Sequence, residues 1–215
     1  GPQSRAVLQK VCNDVDLANA AFPFMSWRAG TVASVSARIM RISFSGEMSF
    51  EVNVPSNTGA HVWQALMQAG AGFDITPYGT EAMHVLRAEK GYIIVGQDTD
   101  GSVTPIDLGM GAMVTKTKDC LGKRSLARSD TARADRKQFV GLLADDPQFV
   151  LPEGAHILVG ELKSTPAPMA GHVTSSYLSP TLGRSIALAL VKGGASRLGE
   201  RVHVAMRDGR TVTAT

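Results

Sequence analysis

Glu51, if it faces a pocket, is a residue whose chemistry could hold a flat polar ligand. A carboxylate has two acceptor oxygens in one plane, a match for paired N–H groups on the edge of a planar heterocycle. It stands in Gly46-Glu47-Met48-Ser49-Phe50-Glu51, at the start of a β-type run where a solvent-facing glutamate would be unremarkable, so spacing alone leaves both readings open. The stretch 80–91, Thr80 to Gly91, carries Arg87 and Glu89 and reads as an amphipathic helix pairing its charges with neighbours. His84 has no second His, Cys or Ser at a suggestive spacing, and the other histidines are isolated along the sequence. Leu108-Gly109-Met110-Gly111 lacks the strand, third glycine and distal acid of a dinucleotide fingerprint. Lys116, Lys118, Lys123 and Arg124 form the densest basic cluster, read as a solvated face rather than an anion site.

These residues need a scaffold, and 215 residues with 44% hydrophobic and 19% charged side chains are enough for one large or two small globular domains. The net charge of +3 is dispersed along the chain, unlike the concentrated charge of a nucleic-acid binder. Cys12 and Cys120 lie far apart with no Cys-x-x-Cys, so two free thiols suited to a reducing cytoplasm are expected and no metal site is assigned. No apolar run reaches the roughly 20 residues of a membrane span. Residues 1–5 lack the form of a signal peptide, so neither export nor membrane insertion is expected.

Periodicity predicts a helix over 2–11 and a β-hairpin within 32–54, its strands at 38–44 and 50–54 around a Ser45-Gly46 turn. A helix over 60–69 is expected to bury Ala60, Trp63, Leu66 and Met67 and to end on a left-handed Gly70. A second helix over 81–90 closes on Gly91. Residues 92–95 read as a strand or buried extended segment, and 122–127 as a short helix. The polar stretch 128–136 reads as a linker. Beyond it, short β-runs at 139–143, 155–159, 171–174, 185–191 and 202–205, with Asp208-Gly209 as a hairpin turn, predict a small antiparallel barrel or sandwich. The expected fold is α+β, with a region 1–127, a linker 128–136 and a β-domain 137–215.

Several motifs, taken together and in order, resemble the folate-binding superfamily of the glycine-cleavage T-protein (aminomethyltransferase), dimethylglycine dehydrogenase and the alpha subunit of heterotetrameric sarcosine oxidase. They are Gly1-Pro2-Gln3-Ser4-Arg5, Ser43-Phe44-Ser45-Gly46-Glu47 running to Phe50-Glu51, Leu86 to Gly91, Thr104-Pro105, Gly122-Lys123, Gly171 to Ser175 and Ser179-Pro180. Residues 75–101, Asp107 to Met110 and Gly183 to Val191 look most like the sarcosine oxidase alpha subunits.

The resemblance implies a T-protein-like folate-binding fold with its N-terminal part missing and a C-terminal antiparallel β-barrel. It also implies tetrahydrofolate as the acceptor of the one-carbon unit released by oxidative demethylation of sarcosine, giving 5,10-methylenetetrahydrofolate. FAD, FMN and NAD then belong to other parts of a complex with beta, gamma and delta subunits. The family's pterin-holding glutamate matches Glu51, and Phe44 and Tyr92 complete the implied ligand site. Phe44 falls where several relatives carry tyrosine, and Met83 where T-proteins carry an arginine; both departures argue against a T-protein acting on a lipoyl carrier. The family's catalytic aspartate lies upstream of the Gly-Pro-x-x-Arg segment with which this chain starts, so no residue here takes the catalytic role, and the fragment alone is expected to be inactive. A non-catalytic folate-binding or subunit-assembly module is the alternative. The related protein of tRNA modification ranks last, because its Lys-Gly-Cys motif is met by Lys90-Gly91-Tyr92.

Overall fold

The structure, a computed structural model, describes residues 1–161 and 166–215. It divides into two compact units, Gly1–Leu86 and Arg87–Thr215. The division falls at Leu86/Arg87, while 128–136, expected as a linker, lies inside the second unit.

The first unit is a three-stranded antiparallel sheet, in the order β1 (Trp27–Val32), β2 (Val35–Met40), β3 (Glu51–Asn53), with the helices α1 (Ser4–Gln9) and α2 (Gly59–Gly70). Strand β1 was not among the predicted elements. It joins β2 through a two-residue turn whose residues, Ala33 and Ser34, both have positive φ. Such a turn usually calls for Asn-Gly. Here a tertiary bond from the Ala33 N–H to the Val11 carbonyl holds it instead. Strand β2 ends at Met40, short of the predicted 38–44, because residues 41–50 leave the sheet before β3 begins.

One face of this sheet carries Val32, Ala37 and Ile39, which bury against Leu8, Cys12, Leu17, Phe22 and Val62. Helix α2 turns Val62 inward, with Leu66 against the same cluster, one turn apart. Trp63, expected to be buried, is 57% exposed. Gly70 is no left-handed cap. Its φ is −84°, and an added Cβ would come within 2.6 Å of Ile75, so the glycine serves close packing while the left-handed residue is Asp74.

The second unit begins in the last turn of α3 (Thr80–Glu89), which ends as predicted on a left-handed Gly91. Residues 92–95 form no strand; their backbone enters turns that serve Arg87 and Asp98. The helix expected over 122–127 is a single 3-10 turn, Ser125–Ala127. Six antiparallel strands follow: β4 (Lys137–Leu142), β5 (His156–Leu158), β6 (Met169–Ser179), β7 (Arg184–Lys192), β8 (Val202–Ala205) and β9 (Thr211–Ala214), in the order β4-β7-β6-β5-β8-β9. Reciprocal bonds between Leu143 and Thr215, with a bridge from Ala144 to Ala214, join the first strand's end to the last and curl the sheet into a barrel.

The barrel core takes Ala187, Ala189 and Val191 of β7, with Ile157, Val173, Val204 and Leu142. Ile186 and Leu188 point the other way and pack on Ala88 and Phe139. Both faces of β7 are thus covered. That is why it reads as an unbroken apolar run rather than an alternating one.

Arg136, within the stretch read as a linker, is bound to this unit. Its guanidinium donates to both oxygens of Asp107 at 2.8–3.1 Å and to the Ser102 carbonyl. Burial opposes ionisation of Asp107, but the bonds from Arg136 and from the Thr104 N–H and hydroxyl outweigh it and hold its carboxyl below the usual carboxylate range. A carboxyl depressed in this way stabilises the fold above its unfolded-state value, about 3.9. That stability is lost as pH falls through the lower folded-state value. Urea denaturation from about pH 6 to about pH 3 is therefore expected to show stability falling more steeply in the parent than in Asp107→Asn; parallel profiles would remove this pair from the account of acid sensitivity.

Candidate functional site

The register of the first sheet decides what surrounds Glu51. Trp27 lies opposite Met40 and Met40 opposite Glu51, so the three form one row across β1, β2 and β3. The next row holds Ala29, Arg38 and Asn53. Side chains alternate along a strand, and the core takes the other set, Ala37, Ile39 and Val52. Glu51 therefore stands on the sheet face turned away from the core, with Trp27, Met40, Arg38 and Asn53. Trp27, Arg38, Glu51 and Asn53 are exposed and Met40 half-buried.

No hydrogen bond or ion pair from a described residue engages the Glu51 carboxylate or the Arg38 guanidinium. Both are available to a ligand. Phe44, in the loop leading to β3, presents its ring at 43% exposure. Tyr92 belongs to the second unit, just past α3, and is 47% exposed. Its carbonyl accepts a bond from Arg87, and its N–H donates back to the Arg87 carbonyl. Glu51 and Phe44 thus share a unit and Tyr92 does not.

The first unit also holds a cavity of about 560 Å³, in the size range of small-molecule sites. Val7 and Leu8 of α1, Phe50, Trp63 and Leu66, and the segment Phe73 to Tyr78 line it. Its walls are mostly apolar. Neither Glu51 nor Phe44 contributes to it, and its lining contains no lysine or arginine.

The second unit's densest polar assembly is buried. The Arg87 guanidinium donates to Asp98 at 2.5 Å, to the Ser175 hydroxyl at 2.7 Å and to the Tyr92 carbonyl at 2.9 Å. Asp98 also accepts from the Thr174 and Ser175 hydroxyls and from the Ile94 N–H. A β-bulge makes this possible. The β6–β7 register shifts between Val173 and Ser175, so the consecutive Thr174 and Ser175 reach the same carboxylate, which a regular strand would forbid. Arg87 and Asp98 have no solvent exposure. The assembly holds the end of α3 and the following turns on β6, with no open space for a reacting ligand. The amphipathic pattern of 80–91 predicts that Arg87 pairs with neighbours on its helix; its partners are instead the turns after α3 and the barrel.

Other candidates stay apart. Lys116, Lys118, Lys123 and Arg124 are not buried, and the Lys123 ammonium caps the carbonyls of Lys116 and Lys118. His156 and His172, remote in sequence, face each other across β5 and β6; burial, then the Lys137 charge, pushes the His172 imidazole down. Cys12 is buried and Cys120 exposed, both as free thiols. Among the described residues, no three His, Cys, Asp or Glu side chains gather as a metal site, and no helix is long and apolar enough to cross a membrane.

Residues 1–118 match the family described as the GCVT N-terminal domain, and residues 137–215 the glycine cleavage T-protein C-terminal barrel domain. The chain belongs to the glycine cleavage T-protein family. Sarcosine oxidase subunit alpha of Corynebacterium sp. (strain P-1) is 54% identical over 203 residues, covering 93% of this chain and 21% of that protein. The Rhizobium meliloti (strain 1021) subunit of the same name is 42% identical, covering 95% and 21%. Aminomethyltransferase of Thermotoga maritima is 32% identical, covering 100% and 55%. The chain thus spans about a fifth of the length of these sarcosine oxidase relatives. Among solved structures, the aminomethyltransferase T of Bartonella henselae shares the fold, with a TM-score of 0.78 at 24% identity over 100% of this chain and 55% of that one. The T-protein resemblance read from the motifs and the expected α+β class with a C-terminal barrel are both borne out.

Proposed function

We propose that this chain is the tetrahydrofolate-binding portion of a sarcosine oxidase alpha subunit. The observation that carries the reading is Glu51: an exposed carboxylate at the start of β3, on the open sheet face, with no partner among the described residues. Such a group suits the paired N–H edge of a pterin. The relatives at 54% and 42% identity are named sarcosine oxidase subunit alpha, and that name supports the reaction class. In this reading Glu51 holds the ring and Phe44 packs against it. Tetrahydrofolate, when bound, supplies the amine nitrogens that take up the one-carbon unit as 5,10-methylenetetrahydrofolate; without it the product is formaldehyde.

Residues 1–127 form the ligand-binding region, 128–136 the connection and 137–215 the barrel domain of the same subunit. Sarcosine itself is oxidised at a flavin in another subunit of a cytoplasmic complex of alpha, beta, gamma and delta chains, with FAD, FMN and NAD held outside this region. Calorimetric titration with tetrahydrofolate is expected to show saturable binding that Glu51→Gln weakens at least tenfold, about 1.4 kcal/mol. Equal affinities would remove Glu51 as the anchor. Binding without turnover in the assembled enzyme would favour an assembly module instead.

A further inference from the structure

The open face around Glu51 holds more than one group suited to such a ligand. Neighbouring strands lie about 4.8 Å apart, so the row from Trp27 through Met40 to Glu51 spans about 9.6 Å. That width accepts a planar bicyclic ring laid across the strands. Met40 lies midway, half-buried, where a thioether makes favourable contact with an aromatic plane. Trp27, 59% exposed, closes the far end of the row from Glu51. Arg38 stands on the same face two residues from Met40, about 6.8 Å further along the strand, and its guanidinium has no partner among the described residues.

We infer that this sheet face is the seat of the whole ligand: the heterocycle lies on Met40 between Glu51 and Trp27, and its carboxylate tail is held by Arg38. The inference rests on the tetrahydrofolate reading and adds to it three contact residues. Charge arrangement decides the occupant. A ring with an N–H pair at one edge and an anionic chain elsewhere finds a free acceptor and a free cation side by side on this face. The 560 Å³ cavity has an acceptor in Asp74 but no lysine or arginine among its lining side chains to hold an anionic chain, which Asp74 would repel.

The two tryptophans make the test direct, because Trp27 lies on the sheet face and Trp63 in the cavity. Each is left as the sole tryptophan, in Trp63→Phe and Trp27→Phe respectively, and titrated with tetrahydrofolate while indole emission is followed. Quenching confined to the Trp63→Phe protein is expected. Arg38→Gln should weaken tetrahydrofolate about fivefold or more while leaving the tail-less 6-methyltetrahydropterin unchanged. Trp27→Ala should weaken both ligands about fivefold. Quenching of Trp63 alone, or unchanged affinities in Arg38→Gln and Trp27→Ala beside a loss in Glu51→Gln, would overturn this placement and leave the tetrahydrofolate reading standing. No binding by the parent chain would overturn both.

Discussion

Arg87→Ala is expected to cost about 3–5 kcal/mol of stability, enough to unfold the second unit under conditions where the parent chain is folded. The guanidinium compensates a carboxylate with no solvent exposure. Removing it leaves Asp98 with hydroxyl and amide donors only, so a buried charge loses its counter-ion. It also leaves the Ser175 hydroxyl and the Tyr92 carbonyl without this donor. The paired replacement Arg87→Met with Asp98→Asn is expected to recover more than half of the loss, because it removes both charges and fills much of the space. Denaturant unfolding of parent, single and double variants measures this. A double variant no more stable than Arg87→Ala would show that the guanidinium works through its backbone contacts and not through charge compensation.

Gly171→Ala is the second large loss, about 3 kcal/mol or more, and it arises from backbone rather than charge. Gly171 is on β6, paired with Ile157 on one side and Val191 on the other. A Cβ there would lie 2.0 Å from the Leu190 carbonyl oxygen and within 3.0 Å of two further backbone atoms of β7. No rotamer relieves contacts with backbone. Strand β7 would have to move, and it carries Ala187, Ala189 and Val191 of the barrel core. Gly209, by contrast, lies in the β8–β9 turn with nothing within 4 Å; its positive φ makes Gly209→Ala cost about 1–2 kcal/mol. Thermal unfolding of the two variants ranks them, and a milder loss at Gly171 than at Gly209 would mean that β7 yields more easily than its packing suggests.

Both replacements act in the second unit, whereas Glu51, Trp27 and Arg38 belong to the first. A loss of ligand affinity in Arg87→Ala would therefore need a folding control before it counted as a binding effect. Glu51→Gln, on an exposed face, needs a smaller one.

How far the sequence could be read differs between the two units. In the second, the apolar runs at 139–143, 155–159, 171–174, 185–191 and 202–205 each mark a strand, and Asp208-Gly209 marks its turn, because strand patterning and turn chemistry are local. In the first, β1 went unread: its turn is Ala33-Ser34, with no glycine or asparagine, and its shape depends on a bond to Val11 far back in the chain. The apolar spacing of α2 suggested Trp63 as the buried residue, yet Val62 is. Which stripe of a helix faces the core depends on what packs there.

The same distinction runs through the site. Residue types and order, with the T-protein motifs, were enough to single out Glu51, to assign the family's fold and to expect a C-terminal barrel. Only the tertiary structure could set Glu51 in one row with Met40 and Trp27, since register between strands is fixed by a turn and a core that no local pattern encodes. Only the tertiary structure could turn Arg87 from a surface helix charge into a buried partner of Asp98, because the bulge that aims Thr174 and Ser175 at that carboxylate arises from the pairing of β6 with β7. Local propensities act within a few residues; burial and register are properties of segments brought together from far apart in the chain, and these decided which of its polar groups remained free for a ligand.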